Sequence, residues 1–302
     1  MVRTFDHHDF DHATLLEAKG TQRVSVCLPA RNEQATVGAI VGRLHDALVQ
    51  RVPLVDEIIV MDDGSTDATA QVAAAAGAVV FDASSTLAAH GAGPGKGMAM
   101  WKTVYASTGD IVVWCDADVT NFATHFVTGL LGPLLTNSDV AYVKGFYRRP
   151  LSAAGAGGGR VTELVARPLM SMFFPELTSF VQPLSGEYAG RRWLLEQVPF
   201  VAGYGVEVGL LIDIAAGWGV DVMAQVDLGT RLHRNRTLTE LGPQATTIMQ
   251  VILRRALPGL VADAAELIRP GLPPAAVHAD ELPPMNTVAS YLERRENGTK
   301  FS

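Results

Sequence analysis

Apolar positions along the first half of the chain fall into short continuous runs that alternate with longer amphipathic stretches. Residues 23–29 (Arg-Val-Ser-Val-Cys-Leu-Pro) are mostly apolar and β-branched and stop at proline, which predicts a buried strand. Residues 33–50 follow with helical spacing at Val37, Ile40, Val41, Leu44 and Leu48. A second strand is predicted at 55–61, ending in Asp62-Asp63-Gly64-Ser65-Thr66-Asp67, which combines turn and helix-capping residues ahead of an alanine-rich helix at 68–76. A short strand at 78–81, a helix at 97–108 and a strand at 110–115 continue the alternation. Strands alternating with helices imply βαβ units and a mostly parallel sheet, with ligands collecting beyond the carboxyl ends of the strands.

After Asp118 the pattern loosens. It predicts a helix at 122–135, a strand at 141–147, a helix at 162–173 kinked or broken at Pro168, and helices at 205–216 and 238–257. Residues 155–159 (Gly-Ala-Gly-Gly-Gly) read as flexible by composition, and no internal repeat is found. The chain divides into an N-terminal segment (1–20), a first half (21–150), a second half of the same domain (151–258) and a tail (259–302). The tail gathers prolines and charges and is expected to be extended or loosely packed.

A chain of 302 residues can bury about 75% of its unfolded surface and needs no disulfide or metal staple for a core. Net charge is −7, which argues against nucleic acid as a partner but leaves room for a local basic pocket. The two cysteines, Cys27 and Cys115, lie inside apolar runs with no zinc-site spacing and read as buried thiols. The first twenty residues are polar and rich in His and Asp, unlike a signal peptide. His7, His8 and His12 can bind metal but are expected on a solvated segment. The longest apolar run, 208–226, is broken by Asp213 and Asp221, so no membrane span is expected and the default location is a reducing cytoplasm.

Candidate chemistry gathers at the predicted strand ends. Asp116-Ala117-Asp118 places two carboxylates where they can converge on one hard divalent cation and leave positions for phosphate oxygens. A nucleotide-sugar reaction needs such a cation, because its leaving group is a diphosphate whose charge grows. A bare pair of this kind is more often a solvated turn; the apolar run before it and two further polar loops at strand ends favour the metal reading. Asp62 to Asp67 offers a carboxylate to a base or ribose, or simply caps a helix. Pro29-Ala-Arg-Asn-Glu33 supplies a fixed φ and then polar groups, with Glu33 open to ribose or base, or to the helix dipole. Lys96 stands between glycines that let the backbone approach a phosphate, although Gly97 excludes a Walker A loop. The run Gly157-Gly-Gly-Arg160-Val-Thr162 offers amides, a guanidinium and a hydroxyl before a helix, which suits a phosphate. If 231–235 is extended, Arg231, His233 and Asn235 share one face.

The three loops resemble nucleotide-diphospho-sugar transferases of the GT-A fold: a mixed, mostly parallel Rossmann-like sheet flanked by helices, here with a helical C-terminal extension. Pro94-Gly-Lys-Gly97, Lys144-Gly-Phe-Tyr-Arg-Arg-Pro150, the segment 157–168, Gln182-Pro-Leu-Ser-Gly-Glu-Tyr188, Gly203-Tyr-Gly-Val-Glu207 and His233-Arg-Asn-Arg236 resemble the glucosyl-3-phosphoglycerate synthase family. The resemblance runs from about 17 to about 242. It implies a homodimeric enzyme that moves glucose from UDP-glucose to 3-phosphoglycerate with retention, using magnesium or manganese. It further implies that Pro29, Ala30, Glu33 and Asp63 hold uridine and that Lys96 meets the diphosphate. Asp116 and Asp118 would flank the metal, which Asp118 and His233 ligate, with Ala117 between them on the donor. Glu207 and the Leu184 carbonyl would face glucose, and Gly159, Arg160, Thr162, Tyr204 and Asn235 would seat phosphoglycerate. The family carries serine where this chain has Asp63 and Ala117.

Glu207 is also the best carboxylate for a double displacement, whereas the resemblance assigns it to sugar hydroxyls and favours front-face transfer. Other readings are a GDP-sugar or mannosyl enzyme of the same fold and a non-catalytic nucleotide-sugar module. A sugar nucleotidyltransferase would open with a glycine-rich loop, which Pro29 to Glu33 lacks.

Overall fold

A computed structural model describes residues 2–91, 95–148, 159–232, 237–260 and 265–296. Its strands are β1 (Arg3–Asp6), β2 (Val24–Ala30), β3 (Glu57–Asp62), β4 (Val79–Asp82), β5 (Ile111–Trp114), β6 (Tyr142–Arg148), β7 (Tyr188–Arg191), β8 (Phe200–Val201), β9 (Met223–Thr230), β10 (Glu266–Arg269), β11 (Leu272–Ala276) and β12 (Glu281–Leu282). Eight of them form one sheet in the order β1-β9-β6-β7-β5-β2-β3-β4. All neighbours in it run parallel except β7, which is antiparallel to both β5 and β6.

Both faces of this sheet are covered, so its strands alternate between two cores rather than between core and water. Val26 and Leu28 of β2 and Val113 of β5 belong to one core; Cys27 and Trp114 belong to the other. The register Ala30↔Asp62 and Cys27↔Trp114 brings the carboxyl ends of β2, β3 and β5 to one edge of the sheet. The predicted strands in this half are thus all present.

The helix expected at 33–50 starts late and loosens early: Val37–Leu44 is α-helical and His45–Arg51 is a wider π-type stretch. Its first expected turn is drawn into the loop system instead, where Glu33 N donates to Thr69 Oγ1 at 2.8 Å. The helix at 162–173 divides into a wide turn, Thr162–Ala166, and Arg167–Phe173, with Pro168 in the first turn of the second piece, where its missing N–H costs little.

Two expectations are corrected. The first twenty residues are built into the fold: β1 pairs with β9, and His12–Lys19 forms a helix capped by Asp11 with Leu15 fully buried. Its polar residues are caps and outward positions, which is why the segment reads as solvated. Asp6, whose carboxylate groups with His7 and His8, accepts from His8 N and closes a capping box. The tail is packed as well. β12 pairs antiparallel with β8, Met285, Val288 and Tyr291 are buried, and Trp101 Nε1 donates to the Pro283 carbonyl at 2.8 Å. Its prolines fix extended edges rather than loosening them. Among the described residues no helix is long and apolar enough to cross a membrane.

Candidate active site

The loops after β2, β3 and β5 are tied to one another by side chains. Asn32, held at a positive φ of 58°, accepts from Thr66 N at 2.8 Å, and its own N–H donates to Ser65 Oγ at 2.9 Å. Thr36 Oγ1 donates to the Ala117 carbonyl at 2.6 Å, joining the first loop to the Asp116–Asp118 turn. Asp63 accepts from Gly95 N at 3.0 Å, which fixes the loop that starts helix Lys96–Ala106. Met98 N donates to the Ala202 carbonyl at 2.9 Å, and Gly97 leaves no room for a side chain beside Val201. Gly97 is therefore required by packing against β8, which explains why no Ser or Thr follows the lysine.

These loops border a cleft of about 840 Å³. Pro29, Ala30, Glu33, Asp63, Lys96, Asp116, Ala117, Asp118 and Tyr204 all line it, so the predicted donor set and one acceptor residue converge. Glu207, at the start of helix Val206–Trp218, is buried beside them and reaches Lys96 at 2.8 Å. Leu184 is half-buried against the core and is not among the cleft-lining residues. Gly159, Arg160 and Thr162 stand at the start of the helical segment that runs to Phe173, also away from the cleft lining. His233 and Asn235 lie outside the described residues.

The floor of the site is a charge network, buried at Glu187, Glu207 and Arg231 and half-buried at Lys96, Asp116 and Asp118. Lys96 Nζ bridges Asp116 at 2.7 Å and Glu207 at 2.8 Å. Arg231 bridges Asp116 and Asp118 at 2.8 Å each, donates to Tyr147 Oη at 2.6 Å and lies 3.4 Å from Glu187. Burial alone would raise Asp116, but Lys96 and Arg231 hold its carboxyl well below the usual carboxylate range. Burial alone would lower Lys96, but Asp116 and Glu207 raise it. Burial, and then the charge of Asp118, push Glu33 up to about 7. Burial also raises Asp63 and Glu187 and lowers Lys144 to about 7. Lys144 Nζ donates to the Ser185 carbonyl at 2.9 Å from beneath the turn that carries Gly186 and Glu187.

A divalent cation fits this place by its donor chemistry. Asp118 presents a hard oxygen donor toward the cleft with its side chain 35% exposed, and the carboxylate field that raises Glu33 is the field a cation would relieve. Among the described residues Asp116 and Asp118 form no three-ligand group with another Asp, Glu, His or Cys.

Arg231, Glu187 and Lys144 were not assigned to the site from the sequence. The sequence puts Arg231 only on one face with His233 and Asn235, and Glu187 and Lys144 only within motifs. Their common signal is a charged residue inside or directly beside a strand: Lys144 in β6, Glu187 just before β7 and Arg231 just after β9. The cleft wall from Glu240 to Thr247, and Ala276 and His278 of the tail, were also missed.

The sequence profile of glycosyl transferase family 2 matches residues 25–198. The chain belongs to that family. Within it the chain groups with the glucosyl-3-phosphoglycerate synthases. It is 51% identical to that of Mycolicibacterium smegmatis over 247 residues, 80% of each chain. It is 42% identical to that of Petrotoga mobilis over 313 aligned positions, 97% of this chain and 96% of the relative. A crystal structure of glucosyl-3-phosphoglycerate synthase from Mycobacterium tuberculosis in complex with Mn2+, UDP-glucose and phosphoglyceric acid matches with a TM-score of 0.87 and 43% identity, covering 95% of this chain and 98% of that one. The sheet described above is thus the GT-A fold of family 2.

Proposed function

We propose that this protein is a metal-dependent, retaining glucosyltransferase that moves glucose from UDP-glucose to 3-phosphoglycerate. The observation that carries the reading is the cleft in which the loops after β2, β3 and β5 meet over the Lys96–Asp116–Arg231–Asp118 network, in a chain of this family.

Pro29, Ala30, Glu33 and Asp63 hold the uridine, with Glu33, pushed up to about 7, able to donate as well as accept, and Asp63 offering a carboxylate that burial raises. Lys96 meets the diphosphate, where a fixed ammonium stabilises the charge that grows as the bond to glucose breaks. Bound at Asp118 and His233 beside Asp116, Mg2+ or Mn2+ supplies further neutralisation of that charge. Glu207 and the Leu184 carbonyl orient glucose hydroxyls. Glu207 is already paired with Lys96 at 2.8 Å, which suits a positioning role better than that of a free nucleophile under the sugar. Transfer is therefore front-face, with the leaving phosphate taking the acceptor proton.

Gly159, Arg160, Thr162, Tyr204 and Asn235 seat the phosphoglycerate. The start of the helical segment at 160 places backbone amides beside a guanidinium, a combination suited to a phosphate dianion. The two cysteines are free and buried, which fits a cytoplasmic enzyme, and we place it there as a homodimer.

The test is product analysis by mass spectrometry with mixed UDP- and GDP-sugars and several phosphorylated three-carbon acids, with and without Mg2+. A hexosyl-phosphoglycerate formed from UDP-glucose only, and only with the cation, is expected. Turnover of a GDP-sugar alone, or no phosphoglycerate-dependent product, overturns the assignment.

A further inference from the structure

Arg231 holds the two aspartates of the cleft together. One terminal nitrogen of its guanidinium lies 2.8 Å from Asp116 Oδ2 and 2.8 Å from Asp118 Oδ1, and the other donates to Tyr147 Oη at 2.6 Å. Its Nε lies 3.4 Å from Glu187, and its face sits 5.2 Å from the Tyr147 ring centre. Only 3% of Arg231 is exposed, and its backbone N–H donates to the Arg148 carbonyl at 3.1 Å, so the side chain enters from a fixed point at the end of β9. A planar guanidinium fork fixes the directions in which it holds several oxygens; an ammonium on a flexible stem does not.

This arrangement leaves Asp116 with a protein cation on each oxygen, Lys96 on Oδ1 and Arg231 on Oδ2. Asp118 shares only Oδ1 and keeps a more exposed side chain on the cleft. A free divalent cation arriving there meets a pair three of whose four oxygens already face a protein cation, with the Arg231 guanidinium on Asp118 Oδ1. The donor diphosphate would bring further oxygen donors for the cation.

We propose that Arg231 is a positioning residue that aims Asp118 at the cation and holds down the affinity for free cation until a nucleotide diphosphate is bound. Cation and nucleotide are then coupled, each raising the other's affinity by the same factor. The inference rests on the nucleotide-sugar reading above but does not follow from it, since the same cleft could bind its cation first and unaided.

The test is Mn2+ binding to the full chain by electron paramagnetic resonance, without and with UDP, alongside melting curves. Wild type is expected to bind Mn2+ at least tenfold more tightly when UDP is present. Arg231→Gln, which removes the charge but keeps a hydrogen-bonding amide, is expected to tighten binding of Mn2+ alone by at least tenfold and to reduce the UDP effect to less than threefold. Arg231→Lys keeps the charge and should not tighten it. If Arg231→Gln fails to fold because Glu187 is left unpaired, Arg231→Gln/Glu187→Gln makes the same comparison with no buried charge stranded. A folded glutamine variant that binds Mn2+ alone no more tightly than wild type overturns the inference. Wild type that binds Mn2+ equally well without UDP does so too. No Mn2+ binding by wild type even with UDP would instead overturn the donor-site reading and this inference together.

Discussion

Gly186 lies against the carboxylate of Asp116, so close that a β-carbon at 186 would overlap it. The turn that carries Gly186 is itself held from below by Lys144 on the Ser185 carbonyl. The place of Asp116 is therefore set by backbone packing as well as by its ion pairs. Gly186→Ala is expected to push Asp116 away from Lys96 and Arg231, lowering kcat/KM by about a hundredfold, the scale of a displacement of roughly an ångström at a reacting centre. Steady-state kinetics beside a melting curve checks this: a loss of activity much larger than the loss of stability is the expected pattern.

Lys96→Met removes the ammonium shared by Asp116 and Glu207. Turnover should fall by roughly 10²–10³, the range seen when one group aimed at developing charge is lost. Single-turnover rates would show it, and a variant within threefold of wild type would remove Lys96 from the diphosphate.

Glu33 gives a pH signature. Its ordinary value is 4.5, and burial and Asp118 push it up to about 7 in the fold. The neutral form therefore favours the folded state. This contribution is complete below the unfolded value and is lost as pH rises through the folded one, between 4.5 and about 7. In cation-free protein, Glu33→Gln should melt with a flatter pH dependence across that window and gain on wild type above it. An unchanged slope in the melting temperature against pH would contradict the assignment.

Gly97→Ala would drive a β-carbon into the Val201 carbonyl, where helix Lys96–Ala106 crosses β8. Overpacking of this kind costs about 1–3 kcal/mol or more. Urea unfolding should show that loss, with no comparable effect from Gly217→Ala, where nothing lies within 4 Å.

The tail can be tested in the same way. Met285 is fully buried although it lies in a proline-rich stretch, and Met285→Ala should cost about 2–5 kcal/mol. A change below about 0.5 kcal/mol would mean that the tail does not pack as described.

The half of the fold that was legible is the half whose order is local. β2, β3 and β5 are apolar runs that end at Pro29, Asp62 and Asp116, and the donor loops follow directly from them. β7 was not legible, because Tyr-Ala-Gly-Arg is only four residues long and becomes a strand by filling the gap between β5 and β6. β1 was hidden by its caps, since Asp and His at 6–12 read as solvent-facing until β9 supplies the partner. The same division holds in the site. Asp116, Asp118 and Lys96 stand in short motifs, whereas Arg231 reaches Asp116 across 115 positions and Glu187 across 44, and no local pattern announces such a pairing.

The most direct test of the account is a nuclear magnetic resonance time course of UDP-glucose and 3-phosphoglycerate with the full-length protein, in Mg2+ or Mn2+ and then in excess chelator. The account predicts UDP release matched one for one by an α-linked glucosyl-phosphoglycerate, and neither in chelator. A β-linked product, UDP release that ignores phosphoglycerate, or full turnover in chelator would contradict it.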